Sequence, residues 1–312
     1  MRLHISHTTS YAYRDPVVLL PHRMMLSPRA SPVFCPIFTQ LRCTPAAELA
    51  WTQDVFGNLI ATASFSHLAT RLEIRSLLVV EQTADAWPVF NIAPHAHSYP
   101  FRYCEQERAD LGTLLVPIHR DPGGRLEAWA RALVRSEPAD TLSLLQDVNT
   151  ASRNGIAYVA RDAEGTQIPA TTLDLGSGSC RDIAMLFIEA VRHLGFAARA
   201  VSGYVFDPPA DVPGEQRRQH DATHAWAEVY LPGAGWIAFD PTNGRMGEAN
   251  LVPVAVGRDI TRLPPVEGHY LGPAAAFLGM TVDVTVSADT QQTTAIKPEG
   301  VEWNPDLSLP TA

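Results

Sequence analysis

The chain is short of cysteine, of charge and of long apolar runs, and each shortage removes a class of function. Cys35, Cys43, Cys104 and Cys180 are the four thiols in 312 residues and form no CxxC pair, which excludes a zinc cluster on paired thiolates and a dense disulfide framework. No stretch approaches the about 18 consecutive apolar residues of a membrane helix, and Met1 to Tyr13 carries no apolar run behind a basic stretch. That segment is therefore expected to be part of the fold and not a signal peptide, with the cytoplasm as the expected location and no membrane partner. Cys35 and Cys43 could pair, but without an export signal they are expected as free thiols. Charged residues make up 18% of the chain and the formal net charge is -9. The densest basic step in the second half is Arg217-Arg218, too little for a phosphate-binding surface, so nucleic acid is excluded as a partner. No Gly-rich strand-to-helix fingerprint points to a nucleotide cofactor. His95, His97, His220 and His224 lack a compact ligand spacing, and Asp221 follows His220 where a zinc-protease helix would have glutamate, so no metal is expected.

What is present divides the chain into two unlike regions. From Arg2 to Val80, apolar, aromatic and β-branched residues recur at a period near two, with Asp54-Val55-Phe56-Gly57-Asn58 as a tight connection between strands. Pro21, Pro28, Pro32, Pro36 and Pro45 restrict the intervening strands to short pieces or edges. A β-sandwich over residues 1–83 is expected. Residues 84–123, with Trp87-Pro88, Pro94, Pro100 and several aromatics, show no sustained period and are read as an ordered linker that docks on its neighbour. A second domain is expected over 124–291, followed by an irregular tail over 292–312.

The second domain starts with helical spacing at Leu126 to Val134 and at Leu142 to Ala151, the latter capped by Asp140 or Thr141. A helix should begin at Cys180, with Ile183, Phe187, Ala190 and Leu194 on one side and Gly195 as its stop. Strands are expected at Phe196 to Val205, Ala222 to Tyr230 and Trp236 to Asp240, with a polar loop at Asp207 to His220 and a closing strand at Met280 to Val286. The fold class is therefore α+β, one buried helix on an antiparallel sheet.

The chemistry concentrates on Cys180, which ends Gly176-Ser177-Gly178-Ser179-Cys180, with His224 following 44 residues later and Asp240 another 16 later. At a helix start, a thiol meets exposed amide donors and the positive end of the helix dipole, both favouring the nucleophilic thiolate. His224 has the proton affinity of a general base; the bland reading is a hydrogen-bonded core histidine. On the expected strand it shares a face with Trp226 and Glu228, a face expected to look toward the cysteine-bearing helix. Asp240 is placed to orient an imidazole or, more plainly, to organise the Pro241-Thr242-Asn243 turn. Trp226, Trp236 and Tyr204 are candidates for substrate walls, or core packing. Asp182 reads as structural at the helix start, and the Cys180 backbone amide is the one nameable oxyanion donor.

Gly178-Ser179-Cys180-Arg181-Asp182, His224-Ala225-Trp226-Ala227-Glu228-Val229 and Gly235-Trp236-Ile237-Ala238-Phe239-Asp240-Pro241-Thr242 resemble the three motifs of the bacterial transglutaminase-like superfamily. The first 80 residues resemble that group's N-terminal β domain. The resemblance implies a papain-like core with Cys180 as nucleophile, His224 as base and Asp240 as orienting acid. It implies an acyl-thioester route on a protein, peptide or small-molecule amide, resolved by water or by an amine acceptor. No calcium loop is recognisable, so amide hydrolysis is expected ahead of protein-glutamine acyl transfer. A different class of function, a non-catalytic interaction module with a protease-like cleft, stands as the other possibility.

Overall fold

The computed structural model describes residues 1–161, 165–206 and 223–289. The expected loop at Asp207 to His220 and the expected tail 292–312 lie outside these residues. The N-terminal alternation becomes six strands, β1 (Arg2–Leu19), β2 (His22–Ser27), β3 (Phe34–Thr44), β4 (Glu48–Gln53), β5 (Leu59–Ser64) and β6 (Leu68–Gln82). Their inward residues, among them Tyr13, Leu19, Leu72 and Ile74 from one sheet and Met24, Leu26, Ala61 and Ala63 from the other, form one buried cluster between two layers. Cys35 and Cys43 both sit on β3. Eight residues of extended strand separate them by roughly 26 Å, so they cannot bridge, and both are free.

The 84–123 segment docks as its aromatics suggest, and it is more than a linker. It forms β7 (Ser98–Tyr99) and α1 (Glu105–Leu111). Tyr99 stacks on Phe196 and Phe101 meets it edge-on, Ile92 and Ala96 enter the main core, and the Tyr103 hydroxyl donates to the Tyr230 carbonyl at 2.8 Å. Then come α2 (Arg125–Ala132), β8 (Ala139–Asp140), α3 (Thr141–Gly155), β9 (Ala157–Tyr158), α4 (Pro169–Leu175), β10 (Ser177–Gly178) and α5 (Cys180–His193). Asp140 caps α3 by accepting from the Ser143 amide at 2.8 Å. The seven-residue α4 carries too little periodicity to be visible in sequence.

The three expected strands are β11 (Ala198–Val205), β12 (Thr223–Leu231) and β13 (Gly235–Asp240), joined by β14 (Arg245–Met246) and β15 (Leu251–Gly257) in the order β14-β13-β12-β11-β15, all antiparallel. Strand β15 is not among the strands expected from the sequence. Helix α5 packs on one face of this sheet through Ile183, Phe187 and Ala190 against Ala225, Ala227, Val229 and Phe239. The other face carries Val201, Trp226 and Val256 with Phe56 of the N-terminal unit, and at its β11–β15 end the sheet meets that unit again through Tyr204, Phe206, Val252 and Val254 against Leu3, Ile5, Phe34 and Val80.

The end of the chain departs from expectation. Residues 266–288 do not close the second domain; they return to the first. β16 (Val266–Glu267) pairs with β2, while β17 (Tyr270–Leu271) and β18 (Phe277–Ala288) pair with β1, the last from Leu3 opposite Ala288 to Tyr13 opposite Phe277. A strand period of two says that a segment is a strand, not which sheet it joins. Among the described residues no helix is long and apolar enough to cross a membrane. A chain truncated after Pro265 should leave β1 with an open edge and lose cooperative melting of the N-terminal unit; circular dichroism with dye binding checks this.

Candidate functional site

The turn before Cys180 is built around a carboxylate. Asp182, at zero exposure, accepts from the Ser179 amide and hydroxyl at 2.8 Å each, from the Gln167 amide at 2.7 Å and from the Arg161 guanidinium at 3.0 Å. A buried carboxylate satisfied on both oxygens fixes the segments that donate to it. Gly178 is needed beside it, since a Cβ there would lie 2.8 Å from the Asp182 Cβ. Its carbonyl accepts from the Val159 amide at 2.9 Å, tying the turn to β9. Asp182 is thus structural, as its position at the helix start suggests. Cys180 follows as the first residue of the 14-residue α5, half-buried, with its thiol free. At this position the backbone N–H has no intrahelical acceptor.

His224 is the second residue of β12, 6% exposed, with Nε2 at 3.0 Å from Asp240 Oδ2. The contact has ion-pair distance without the in-line geometry of a full hydrogen bond. The Cys180 side chain is the imidazole's second electrostatic neighbour and raises its proton affinity further. Burial pulls the His224 pKa down, but attraction to the Asp240 carboxylate outweighs it and, with the contact to Cys180, pushes the group up to about 10. Asp240, 2% exposed, is raised by burial and lowered more strongly by His224 and Asn243, so it stays ionised below the ordinary carboxylate range. Both readings of Asp240 hold together. Its Oδ1 accepts from the amides of Thr242 and Asn243 at 3.1 and 3.2 Å, while Oδ2 accepts from Asn243 Nδ2 at 2.7 Å and faces His224.

The expectation that the His224 face of β12 looks onto the helix is corrected. The row packed on α5 is Ala225, Ala227 and Val229. His224 lies on the alternate row and meets Cys180 where the start of the strand adjoins the start of the helix.

The three wall candidates separate. Trp226, 1% exposed, stacks behind His224 with ring centroids 6.1 Å apart and planes 24° apart. It backs the imidazole and has no surface to offer a substrate. Tyr204 is removed to the contact with the N-terminal unit, where its hydroxyl lies 3.0 Å from His7 Nδ1. Burial there holds His7 down to about 4 and raises Tyr204. Trp236 is the second residue of β13, four residues and therefore about 13 Å along the strand from Asp240. Its ring carries the Arg199 guanidinium at 4.1 Å. Arg161, Gln167 and Asn243 belong to the site's support, and of these Arg161 and Gln167 escaped sequence reasoning. Only Asn243 had a local signal, in its Pro-Thr-Asn turn. Among the described residues no group of three or more His, Cys, Asp and Glu is arranged to hold a metal.

A family model described as the transglutaminase-like superfamily matches residues 127–241, and one described as the bacterial transglutaminase-like N-terminal region matches 3–81. An uncharacterized protein of Mycobacterium tuberculosis is 27% identical over 306 residues, covering 91% of this chain and 92% of its own. A protein-glutamine gamma-glutamyltransferase of Pseudomonas aeruginosa is 31% identical over 137 residues, 41% of this chain and 19% of that protein. A crystal structure of a candidate cysteine protease from Cytophaga hutchinsonii superposes with a TM-score of 0.66 at 19% identity, covering 93% of this chain and 92% of that one, which shows a shared fold. The periplasmic domain of TgpA from Pseudomonas aeruginosa is also similar, at 18% identity and a TM-score of 0.36 over 77% of this chain and 90% of that one. The expectation of a cytoplasmic location is not kept; the TgpA domain is described as periplasmic.

Asp182→Ala should destabilise the protein by about 3–5 kcal/mol, because it strands the Arg161 charge and two backbone amides. Denaturant unfolding measures this. Asp182→Asn, which keeps the shape and some acceptors, should cost less.

Proposed function

The chain belongs to the transglutaminase-like superfamily and carries its N-terminal β domain, and from this we propose that it is a cysteine-dependent amide or peptide hydrolase working through an acyl-thioester. The observation that carries the reading is His224 held between the Asp240 carboxylate and the Cys180 thiol. With Nε2 against Asp240, the other ring nitrogen serves the thiol, so the aspartate fixes the tautomer and stabilises imidazolium.

In the proposed cycle, the Cys180 thiolate attacks the amide carbonyl carbon and the oxygen takes up the negative charge beside the first-turn amides of α5. The intermediate collapses by breaking the C–N bond, and the His224 imidazolium gives its proton to the departing amine. Water then attacks the thioester, His224 accepts its proton, and the C–S bond breaks to release a carboxylic acid and restore the thiolate–imidazolium pair. An amine in place of water gives acyl transfer with the same first half. The partial match to a glutamyltransferase supports that second reading.

Cys180→Ala should abolish thioester formation and turnover on a peptide-amide library, and His224→Ala should slow turnover about 10²- to 10⁴-fold. Equal rates for wild type and Cys180→Ala would defeat the mechanism. The pH dependence has a definite sign. Because the His224 pKa is raised, the imidazolium that protonates the leaving amine persists above pH 6.5 and is lost only as pH rises through about 10. Asp240→Asn removes the attraction and leaves burial, so the alkaline limb of kcat should move to lower pH. Stopped-time hydrolysis across pH 5 to 11 follows both.

A further inference from the structure

The face of the β11–β15 sheet turned away from α5 is closed at one end by the tip of the β4–β5 hairpin. Asp54 makes that tip rigid, with Oδ1 accepting from the Phe56 and Asn58 amides at 2.9 Å each and Oδ2 from Asn58 Nδ2 at 2.8 Å. A turn in need of rigidity alone would stop there. Asn58, at zero exposure, goes on to span 198 positions of sequence. Its Nδ2 donates to the Val256 carbonyl at 2.7 Å and its Oδ1 accepts from the Val256 amide at 2.8 Å. β15 is an edge strand, so the side chain of Asn58 supplies the ladder partner that a sixth strand would otherwise give.

That anchor delivers Phe56 to the apolar cluster of Val201, Val205, Trp226, Ala238, Leu251 and Val256. Trp226 in this cluster is the ring stacked on His224. It is hemmed from a second side as well. Gly203, the cross-strand partner of His224, has no side chain, and a Cβ there would lie 2.7 Å from Trp226 Cη2 and 2.1 Å from the Val252 carbonyl oxygen. The indole is therefore seated directly over the β11 backbone, with the hairpin filling the cluster around it. Val55, in the same turn, is 96% exposed and touches none of this.

We propose that Phe56 and Asn58 are positioning residues for the reaction, holding Trp226 as a fixed backstop so that the N-terminal β domain sets the alignment of His224 with Cys180. The proposal rests on the reading of those two residues as the reacting pair. A side chain that approaches the imidazole only from Asp240 and Cys180 is free to tilt about its own bonds, and a stacked ring of fixed position removes that freedom. Misalignment by about 1 Å is enough to cost two orders of magnitude in rate. Opening the cluster would also admit water and weaken the attraction of Asp240 for the imidazolium.

The test uses the full chain and iodoacetamide as the probe, with the alkylation rate of Cys180 followed by mass spectrometry against pH and with steady-state hydrolysis in parallel. Phe56→Ala and Asn58→Ala should each lower the alkylation rate at pH 7 about ten- to a hundredfold, bring its His224-dependent limb to lower pH, and reduce kcat with KM unchanged. Phe56→Leu, which keeps the apolar fill, should recover most of the rate, and Val55→Ala should match wild type. If Phe56→Ala loses its cooperative melt, Asn58→Ala decides. A folded Asn58→Ala or Phe56→Ala protein with the wild-type alkylation profile and kcat overturns the proposal. The His224→Ala protein tests the underlying reading separately: if its Cys180 is alkylated as fast as that of the wild type, the thiolate–imidazolium pair fails, and the positioning role with it.

Discussion

A helix buried on all sides must find partners inside the protein for every ionisable side chain it carries. α5 buries Asp182, Glu189 and Arg192, and each reaches a different part of the chain. Asp182 gathers Arg161, Gln167 and Ser179 around the turn that ends in Cys180. Glu189 accepts from the amides of Ile118 and His119 and pairs with Arg192 at 2.8 Å. Burial alone would raise the Glu189 carboxyl, but His119 and Arg192 hold it down to about 2. Arg192 donates to the carbonyls of Leu114, Ala198 and Arg258. The segment that precedes the core, the first strand of the sheet and the loop after β15 are thereby fixed to one helix, and the proposed nucleophile is that helix's first residue. Polar pairing of this kind adds little net stability compared with apolar packing, yet removing one member strands the other. Its effect is to fix position.

The same economy of partners governs Asp240. A carboxylate has two oxygens and about four acceptor directions. Asp240 divides them, using Oδ1 for the backbone of the following turn and sharing Oδ2 between Asn243 and His224. The turn is what holds the carboxylate still. An aspartate on an open strand end would rotate into water and lose its grip on the imidazole, so the structural and the proposed chemical roles are two results of one set of bonds.

Short-range signals were legible in the sequence and long-range pairings were not. The helix beginning at Cys180 and the three strands after it follow from local period and punctuation, and the structure has all four. Strand parity grouped His224, Trp226 and Glu228 on one row, but parity names a row and not what covers it, so the helix was assigned to the wrong side. For the same reason Tyr204 was a candidate wall: it lies between Cys180 and His224 in sequence, while its neighbours in space are His7 and the N-terminal sheet. Trp236 shared a strand with Asp240, and only strand length separates them. α4 is too short and β15 too flanked by turns to carry a period. The destination of β18 lies nearly the whole chain length from β1, beyond any local pattern.

That long-range closure bears on what counts as the site. Because β16 to β18 complete sheets begun by β1 and β2, the core that carries Cys180, His224 and Asp240 is an insertion between two parts of the N-terminal unit. Cutting the core free would expose the face of β11 and β15 that now packs on Leu3, Ile5 and Val80, an apolar surface of the kind that drives association. It would also remove the hairpin that pairs with β15 and packs on the Trp226 cluster. The chain therefore cannot be divided into a binding unit and a reacting unit along its sequence. The β domain is one of the two walls between which the sheet is held, and α5 is the other.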